Sequence, residues 1–346
     1  MKIGFDIQYK AQDAVYAALR LSDSLKMLGY EVTLFSNKLP KHKFKCHWDK
    51  LVKTPKDMSY DEWLLDITHI IWPVPPTKEV VQKVGKSIVT IALAPWDCIP
   101  NYSRQSLKMC AHVVSPSFEN SDFIRKELGV RQVTTIEWDS SIPFTKKDQS
   151  IVGKYGVDLL VPLHSSQVLR SDFEHIMGIL YEIPQRCPRS NILVSYTDSS
   201  MPYEAIKALR DIRRDIPSFD LFNDETSYVS SIMQYGYADL VLWPAEIEGF
   251  GLVGIESIYM GTPVIAYNVP PMSNIITNGL NGVLVDCDHS GSRGGIMYAE
   301  PDKNSFIDAA CDVIDNSLEK LNKTTAAGRR YKRSNFLEKW KRLIEG

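Results

Sequence analysis

The stretch Tyr237–Tyr267, YADLVLWPAEIEGFGLVGIESIYMGTPVIAY, indicates the fold class of the chain. Asp239–Trp243 is a short apolar run that predicts a buried strand, and Leu252–Met260 has the length and composition of a helix. Pro244–Gly251 predicts a loop between them. A Gly-Thr-Pro sequence ends the helix and leads into a second apolar run, Val264–Tyr267. The order strand, loop, helix, strand is the repeating unit of a parallel α/β sheet.

The same alternation continues on both sides of this stretch. Near the N-terminus, Lys2–Ile7 predicts a strand, Asp13–Leu28 a helix and Glu31–Phe35 a second strand. The pattern lapses over Ser141–Lys154, where proline and charged residues indicate a linker, and then restarts. We therefore predict the α/β class with two doubly wound, Rossmann-like domains, residues 1–148 and 149–320. Ligands in such sheets bind at the carboxyl ends of the strands.

Length, charge and cysteine content restrict the class of protein. The chain has 346 residues, which is enough for two domains of ~150 residues each. Its net charge of −2 gives no indication of a nucleic-acid partner. The six cysteines are scattered and lack metal-ligand spacing, so we expect reduced thiols, a cytoplasmic location and no structural metal. No apolar run is long enough to predict a transmembrane helix, and the N-terminus predicts a strand instead of a signal peptide.

The loop and the helix after it combine features of a phosphosugar site. Gly249 and Gly251 allow a ligand to approach the backbone closely. The amides at a helix N-terminus bind anions such as a diphosphate. Glu248 in the loop and Glu256 in the helix are carboxylates suited to the hydroxyls of a sugar or a ribose. Taken singly, each glutamate would be interpreted as an ordinary surface or helix residue, but the combination favours a site.

This stretch closely resembles the donor-site signature of glycosyltransferase family four, E-G-F-G-x-x-x-x-E followed by G-T-P-V-I-A. The resemblance implies a retaining glycosyltransferase of the GT-B class, with a C-terminal helix in 321–346 that packs back on the first domain. It implies that Glu248 contacts hydroxyls of the donor sugar and that Glu256 holds the ribose. The rest of the implied donor site comprises Gly249 and Phe250, together with the amides of Gly251, Leu252 and Val253.

Outside this signature the resemblance is looser. The family has a Gly-Gly loop after the first strand, whereas Gln8–Asp13 contains no glycine. The family also has an arginine and a lysine after the first strand of the second domain. Here Arg170 takes the lysine position, and we expect it to stabilise the leaving diphosphate with His164 as a helper. Asp97 matches the aspartate of a family His-Asp pair and is therefore a candidate catalytic and acceptor-site residue. Trp96 stands in place of the histidine, and we expect its ring to stack against the acceptor.

The resemblance implies a UDP-sugar as the donor, no further cofactor and no metal. An acceptor hydroxyl on a glycan, a lipid or a protein is the first hypothesis. The basic run Lys38–Lys56, which includes Lys41, Lys43 and Lys45, supports a second one in which DNA or a phospholipid surface binds there. If DNA is the acceptor, the enzyme would glycosylate a hydroxymethylated base, as some phage enzymes do. The third hypothesis is a non-catalytic or epimerase-like protein that binds a nucleotide sugar.

Overall fold

The computed structural model describes residues 1–7, 12–35, 59–94, 103–139, 157–163, 173–196, 201–223, 228–293, 296–321 and 333–346. The chain divides into two compact units. Unit 1 holds Met1–Trp138, Gly294–Ile296 and Arg333–Gly346, and unit 2 holds Asp139–Arg293 and Met297–Lys332. The predicted boundary between residues 148 and 149 lies outside the described residues and stays a prediction.

Unit 1 contains a parallel sheet of six strands in the order β2-β1-β3-β4-β5-β6. Its central strands are continuous apolar runs, as expected for a sheet covered on both faces. The strands are β1 Lys2–Asp6, β2 Glu31–Phe35, β3 His69–Trp72, β4 Val89–Leu93, β5 His112–Ser115 and β6 Val133–Thr135. The helices are α1 Gln12–Met27, α2 Tyr60–Asp66, α3 Lys78–Lys83, α4 Ser103–Met109 and α5 Phe118–Lys126.

Helix α2, which has 7 residues, has no counterpart among the predicted elements. A capping box starts it: Ser59 accepts from the amide of Glu62, and the Glu62 carboxylate accepts from the amide of Ser59. Trp63 is buried on its inner face, where its indole Nε1 donates to Oγ1 of Thr33 at 3.0 Å. This short helix is therefore fixed by its cap and one large apolar side chain.

Unit 2 contains a second parallel sheet of six strands, in the order β12-β11-β10-β7-β8-β9, and a separate two-stranded sheet, β13-β14. The strands are β7 Val157–Leu163, β8 Ser190–Tyr196, β9 Phe219–Asn223, β10 Leu240–Trp243, β11 Val264–Tyr267, β12 Gly282–Val285, β13 Asp288–Arg293 and β14 Ile296–Glu300. The helices of unit 2 are α6 Phe173–Arg186, α7 Tyr203–Asp215, α8 Tyr228–Tyr237, α9 Leu252–Met260, α10 Met272–Ile275, α11 Lys303–Asp312 and α12 Leu318–Leu321, and a π-helical turn over Val313–Ser317 connects α11 to α12. The last helix of the described residues is α13 Arg333–Glu345.

The last helix, α13, belongs to unit 1, as the resemblance implies. Its apolar side is buried, and the rings of Phe336 and Trp138 pack with centroids 5.5 Å apart. At its C-terminal end, the phenol of Tyr30 donates to the carboxylate of Glu345 at 2.8 Å. Helix α13 is thus part of the core of unit 1, although most of the sequence between Trp138 and Arg333 belongs to unit 2.

The cysteines differ from the expectation. Cys187, directly after α6, and Cys311 in α11 form a disulfide, so the prediction of reduced thiols is wrong for this pair. The two cysteines have a sequence separation of 124, so no local spacing predicts that they pair. Cys110 and Cys287 are free thiols, and burial raises the pKa of Cys110 to about 12. Cys46 and Cys98 lie outside the described residues.

Candidate functional site

The candidate site begins where the central strand of unit 2 ends. Strand β10 is buried between β7 and β11, with Trp243 in register with Ala266 of β11. The chain then turns through 244–250 and enters α9 at Gly251. Both ends of α9 are glycines in the left-handed region, Gly251 with φ 69° and Gly261 with φ 83°. The helix therefore has the predicted bounds, and the loop lies at the carboxyl end of the sheet, where such sheets bind ligands.

Glu248 is fixed inside the loop that carries it. Only 7% of its surface is exposed. Its Oε1 accepts hydrogen bonds from the amides of Gly249, Phe250 and Gly251 at 2.8, 3.2 and 3.2 Å. Its Oε2 accepts a hydrogen bond from the indole Nε1 of Trp243 at 3.1 Å. Burying a carboxylate is costly unless donors surround it, and these donors meet that requirement.

Glu256 lies on the helix that follows. It is 4% exposed and belongs to a helix that is buried along nearly its whole length. It comes four residues after Leu252 and therefore shares a helix face with the first turn. Side chains on a helix lean toward its N-terminus, so the geometry favours a Glu256 carboxylate near the end at which the loop arrives.

The three amides predicted to bind the phosphates, those of Gly251, Leu252 and Val253, differ in their hydrogen bonding. The amide of Gly251 already bonds to Glu248, whereas Leu252 and Val253 open the first turn of α9. The first amides of a helix have no partner within the helix, and Gly251 at the N-cap supplies no side-chain oxygen to them. Of the three predicted amides, those of Leu252 and Val253 are therefore better placed for an anion.

A second polar cluster lies at the same end of the sheet. Nε2 of His175, in the first turn of α6, is 2.6 Å from the phenol oxygen of Tyr267, the last residue of β11. That oxygen also donates to the carbonyl of Asp302 at 3.3 Å. Burial, and then the charges of Asp302, Cys287 and Glu246, raise the pKa of Tyr267, which therefore stays protonated at neutral pH. These residues join α6 to the strand next to the candidate site.

Unit 1 has a buried carboxylate at the corresponding edge of its own sheet. Asp6, the last residue of β1, accepts at Oδ2 from the phenol of Tyr60 at 2.8 Å and from the indole of Trp72 at 3.2 Å. Trp72 is the last residue of β3, so the ends of β1 and β3 both contribute a side chain to this cluster. Asp6 gives no functional signal in the sequence, since one aspartate at a strand end forms no motif.

The remaining predicted site residues cannot be placed in the same way. Arg170, His164, Asp97, Trp96 and the lysines of Lys38–Lys56, including Lys41, Lys43 and Lys45, lie outside the described residues. The structure therefore brings Glu248, Gly249, Phe250, Gly251, Leu252, Val253 and Glu256 into one segment and leaves the others as predictions.

The described ranges contain neither a cluster of metal ligands nor a membrane-spanning helix. In those ranges, no three His, Cys, Asp or Glu side chains are grouped so that they could hold a metal ion. Of the helices described, none is both long enough and apolar enough to cross a bilayer.

The segment around the two glutamates is also the part of the chain that matches a family model. Residues 220–329 match the family model of the group 1 glycosyl transferases. The predicted resemblance is thereby confirmed at the level of the group 1 glycosyl transferases. The matched residues include β10, α9 and β11, and thus both Glu248 and Glu256. A D-inositol 3-phosphate glycosyltransferase from Paenarthrobacter aurescens is 48% identical over 52 residues, which are 15% of this chain and 13% of that protein. The chain therefore matches only a small part of this curated relative.

Solved structures extend the comparison of the fold to the whole chain. The Anabaena protein HepE, solved with UDP and glucose, has a TM-score of 0.71 at 13% identity and covers 100% of this chain and 99% of its own. Sucrose-phosphate synthase from Thermosynechococcus elongatus has a TM-score of 0.72 at 14% identity, over 100% of this chain and 98% of its own. The predicted α/β fold of the GT-B class is therefore confirmed, and at these identities the likeness concerns the fold alone.

Proposed function

We propose that this chain is a retaining glycosyltransferase, which moves a hexose-type sugar from a UDP-sugar to an acceptor hydroxyl on a glycan, a lipid or a protein. One observation carries the proposal: two buried glutamates, Glu248 in the loop before α9 and Glu256 within α9, lie in the segment that matches the group 1 family. Carboxylates that are buried in this way at the carboxyl end of a parallel sheet are suited to the hydroxyls of a ligand.

The proposed roles are those that the resemblance implies. Glu248, in the loop, contacts hydroxyls of the donor sugar, and Glu256, on the helix, holds the ribose. The first-turn amides of Leu252 and Val253 bind the diphosphate, which the helix N-terminus also attracts through its dipole. UDP is the proposed nucleotide because structural neighbours such as HepE were solved with it.

The transfer step needs little covalent work from the protein. The bond between the anomeric carbon and the β-phosphate oxygen breaks, and a bond from the same carbon to the acceptor oxygen forms on the same face of the sugar. The leaving diphosphate takes the acceptor's proton. The protein orients the two substrates and supplies positive charge near the diphosphate. Arg170 and His164 are our candidates for that charge, and Asp97 and Trp96 for acceptor contacts.

Donor binding is the first test. A thermal-shift panel of UDP-, GDP-, ADP- and dTDP-glucose should give its largest stabilisation with the UDP-sugar. Glu248→Ala should bind UDP but lose most of the extra stabilisation by the sugar, and Glu256→Gln should weaken both ligands. Glu319→Ala, an exposed glutamate of the same unit, is the matched control and should behave as the wild type. A wild-type protein that binds no nucleotide sugar would refute the proposal.

Turnover separates a transferase from a protein that only binds. Slow release of free glucose from UDP-glucose, abolished in Glu248→Ala, is the expected result, and the anomeric configuration of the first product, read by NMR, tests retention. Binding without any release would favour the non-catalytic alternative. The DNA alternative depends on Lys38–Lys56 and has its own test, namely salt-sensitive DNA binding that Lys41→Glu and Lys45→Glu weaken.

For the location we propose the cytoplasm, and the disulfide gives a direct test. In a reducing compartment Cys187 and Cys311 would be thiols in the cell and would form their disulfide only in the isolated protein, because disulfides are rare in such compartments. Alkylation of living cells before lysis, followed by mass spectrometry of the peptides with Cys187 and Cys311, should find both alkylated. A bond recovered intact would instead place the protein in an oxidising compartment.

A further inference from the structure

Trp243 has a contact that the proposed function does not use. It is the last residue of β10, and only 3% of its surface is exposed. Its indole N–H is directed to Oε2 of Glu248, 3.1 Å away, so that the end of the strand is connected to the middle of the following loop. A buried tryptophan N–H requires an acceptor, but here the acceptor is the carboxylate proposed to bind the donor sugar.

The two oxygens of Glu248 are held from different directions. Three consecutive amides of the loop surround Oε1, and the indole of Trp243 holds Oε2. The amides belong to the loop itself and would move with it. Trp243 belongs to a strand paired on both sides, with β7 and with β11. The indole therefore ties the plane of the carboxylate to the sheet and not only to the loop.

We propose that Trp243 is a positioning residue for the donor sugar, acting through Glu248. The indole N–H fixes the rotation of the carboxylate, so that Oε2 meets the sugar hydroxyls in one orientation. Hydrogen bonds to a charged group are stronger than those between neutral groups, and burial strengthens them further. The proposal rests on the proposed function and adds one requirement to it: recognition of the sugar, but not of the nucleotide, depends on the indole N–H of Trp243.

Trp243→Phe tests this requirement, because phenylalanine keeps an aromatic ring and lacks the N–H donor. Binding of UDP-glucose and of UDP is measured separately by calorimetry. We expect the affinity for UDP-glucose to fall about 10-fold, the effect of losing one charged hydrogen bond, while the affinity for UDP changes less than about 2-fold. A merely structural Trp243 would weaken both ligands alike, and that result would overturn the proposal.

Trp63→Phe is the matched control. Trp63 is also buried, and its indole N–H also donates a hydrogen bond, to Oγ1 of Thr33 at 3.0 Å, but it belongs to unit 1. This variant should lose stability without a change in the ratio of the UDP-glucose and UDP affinities. A shift of that ratio equal to that of Trp243→Phe would also count against the proposal.

A measurement without a change at Trp243 covers the case in which Trp243→Phe does not fold. The 7 tryptophans give indole N–H signals in a ¹H–¹⁵N spectrum. Glu248→Gln should move the Trp243 signal upfield, because the charged acceptor is lost. In the wild type the same signal should shift when UDP-glucose is added and stay in place with UDP. A signal that responds to Glu248→Gln but not to UDP-glucose would overturn the positioning role, whereas a wild type that binds neither ligand would overturn the proposed function itself.

Discussion

Gly251 is packed against Ile275, and a Cβ built on the glycine would overlap with the Cδ1 of that isoleucine. The glycine also has φ +69°, in the left-handed region. For Gly251→Ala we expect a loss of about 2–4 kcal/mol in the free energy of unfolding, from left-handed strain of about 1–2 kcal/mol and the rest from the forced shift of a buried side chain. Urea unfolding followed by circular dichroism measures this loss.

Gly279→Ala separates the two causes. Gly279 has φ +74°, but a Cβ there would meet nothing within 4 Å. This variant should lose only the left-handed strain of about 1–2 kcal/mol. If the two variants lose the same stability, the contact between Gly251 and Ile275 is not a constraint on the loop.

Glu248 and Glu256 should differ in what their loss does to ligand binding. Glutamine has nearly the same shape as glutamate, so both variants keep the volume of the side chain. Glu248→Gln also replaces one accepting oxygen with an NH2 group, and one of the hydrogen bonds to Glu248 is lost with the charge. We expect Glu256→Gln to weaken UDP and UDP-glucose by the same factor, about 10-fold, since it loses ribose contacts. Glu248→Gln should weaken UDP-glucose and leave UDP unchanged. Calorimetric titration of both variants with both ligands gives the four constants, and an identical pattern in the two variants would contradict the separate roles.

The sequence predicted the elements around the site better than the bonds within it. Helix α9 has the predicted bounds because glycines in the left-handed region stand at both of its ends, and glycine is the residue whose identity reports backbone conformation directly. Strand β10 was recognisable as a short apolar run. Both signals are local, so a single sequence contains them.

Contacts that depend on side-chain direction or on distant pairing gave no such signal. Glu248 was identified through its motif, but its bond to Trp243 depends on how the loop folds back on the strand end. Likewise, His175 and Tyr267 meet only because α6 and β11 are neighbours in space. Asp6 and its two aromatic donors come from three separate elements. Such relationships are properties of the fold, and no spacing in one sequence reveals them.

The disulfide between Cys187 and Cys311 should stabilise unit 2 measurably. It links α6 to α11 across a sequence separation of 124, and closing so long a loop restricts the unfolded chain. Reduction with a phosphine should lower the free energy of unfolding by about 2–5 kcal/mol. The double variant Cys187→Ala/Cys311→Ala is the control and should not respond to the reductant. An unchanged urea midpoint of the wild type after reduction, with both thiols confirmed free, would contradict this stabilising role.

His69 should make the stability of unit 1 depend on pH. It is 6% exposed at the start of β3, and burial lowers its pKa below the ordinary value, with a further lowering by His112. A hydrogen bond with the backbone of Ile344 acts in the opposite direction but is the smaller effect. The unfolded chain then binds a proton at a higher pH than the folded one, so stability is present at neutral pH and is lost as the pH falls from about 6.5 toward the lower pKa of the folded state.

We expect the free energy of unfolding to fall between pH 7 and pH 5 by up to about 1.4 kcal/mol for each unit by which burial lowers the pKa of His69. Replacing His69 with glutamine should flatten this part of the profile, and His112→Gln should flatten it less, because His112 is only half-buried. Carboxylates that titrate at lower pH act equally in all three proteins, so the comparison isolates the imidazoles. Urea unfolding at half-unit pH intervals provides the profiles, and a His69→Gln profile parallel to that of the wild type would show that His69 is protonated equally in both states.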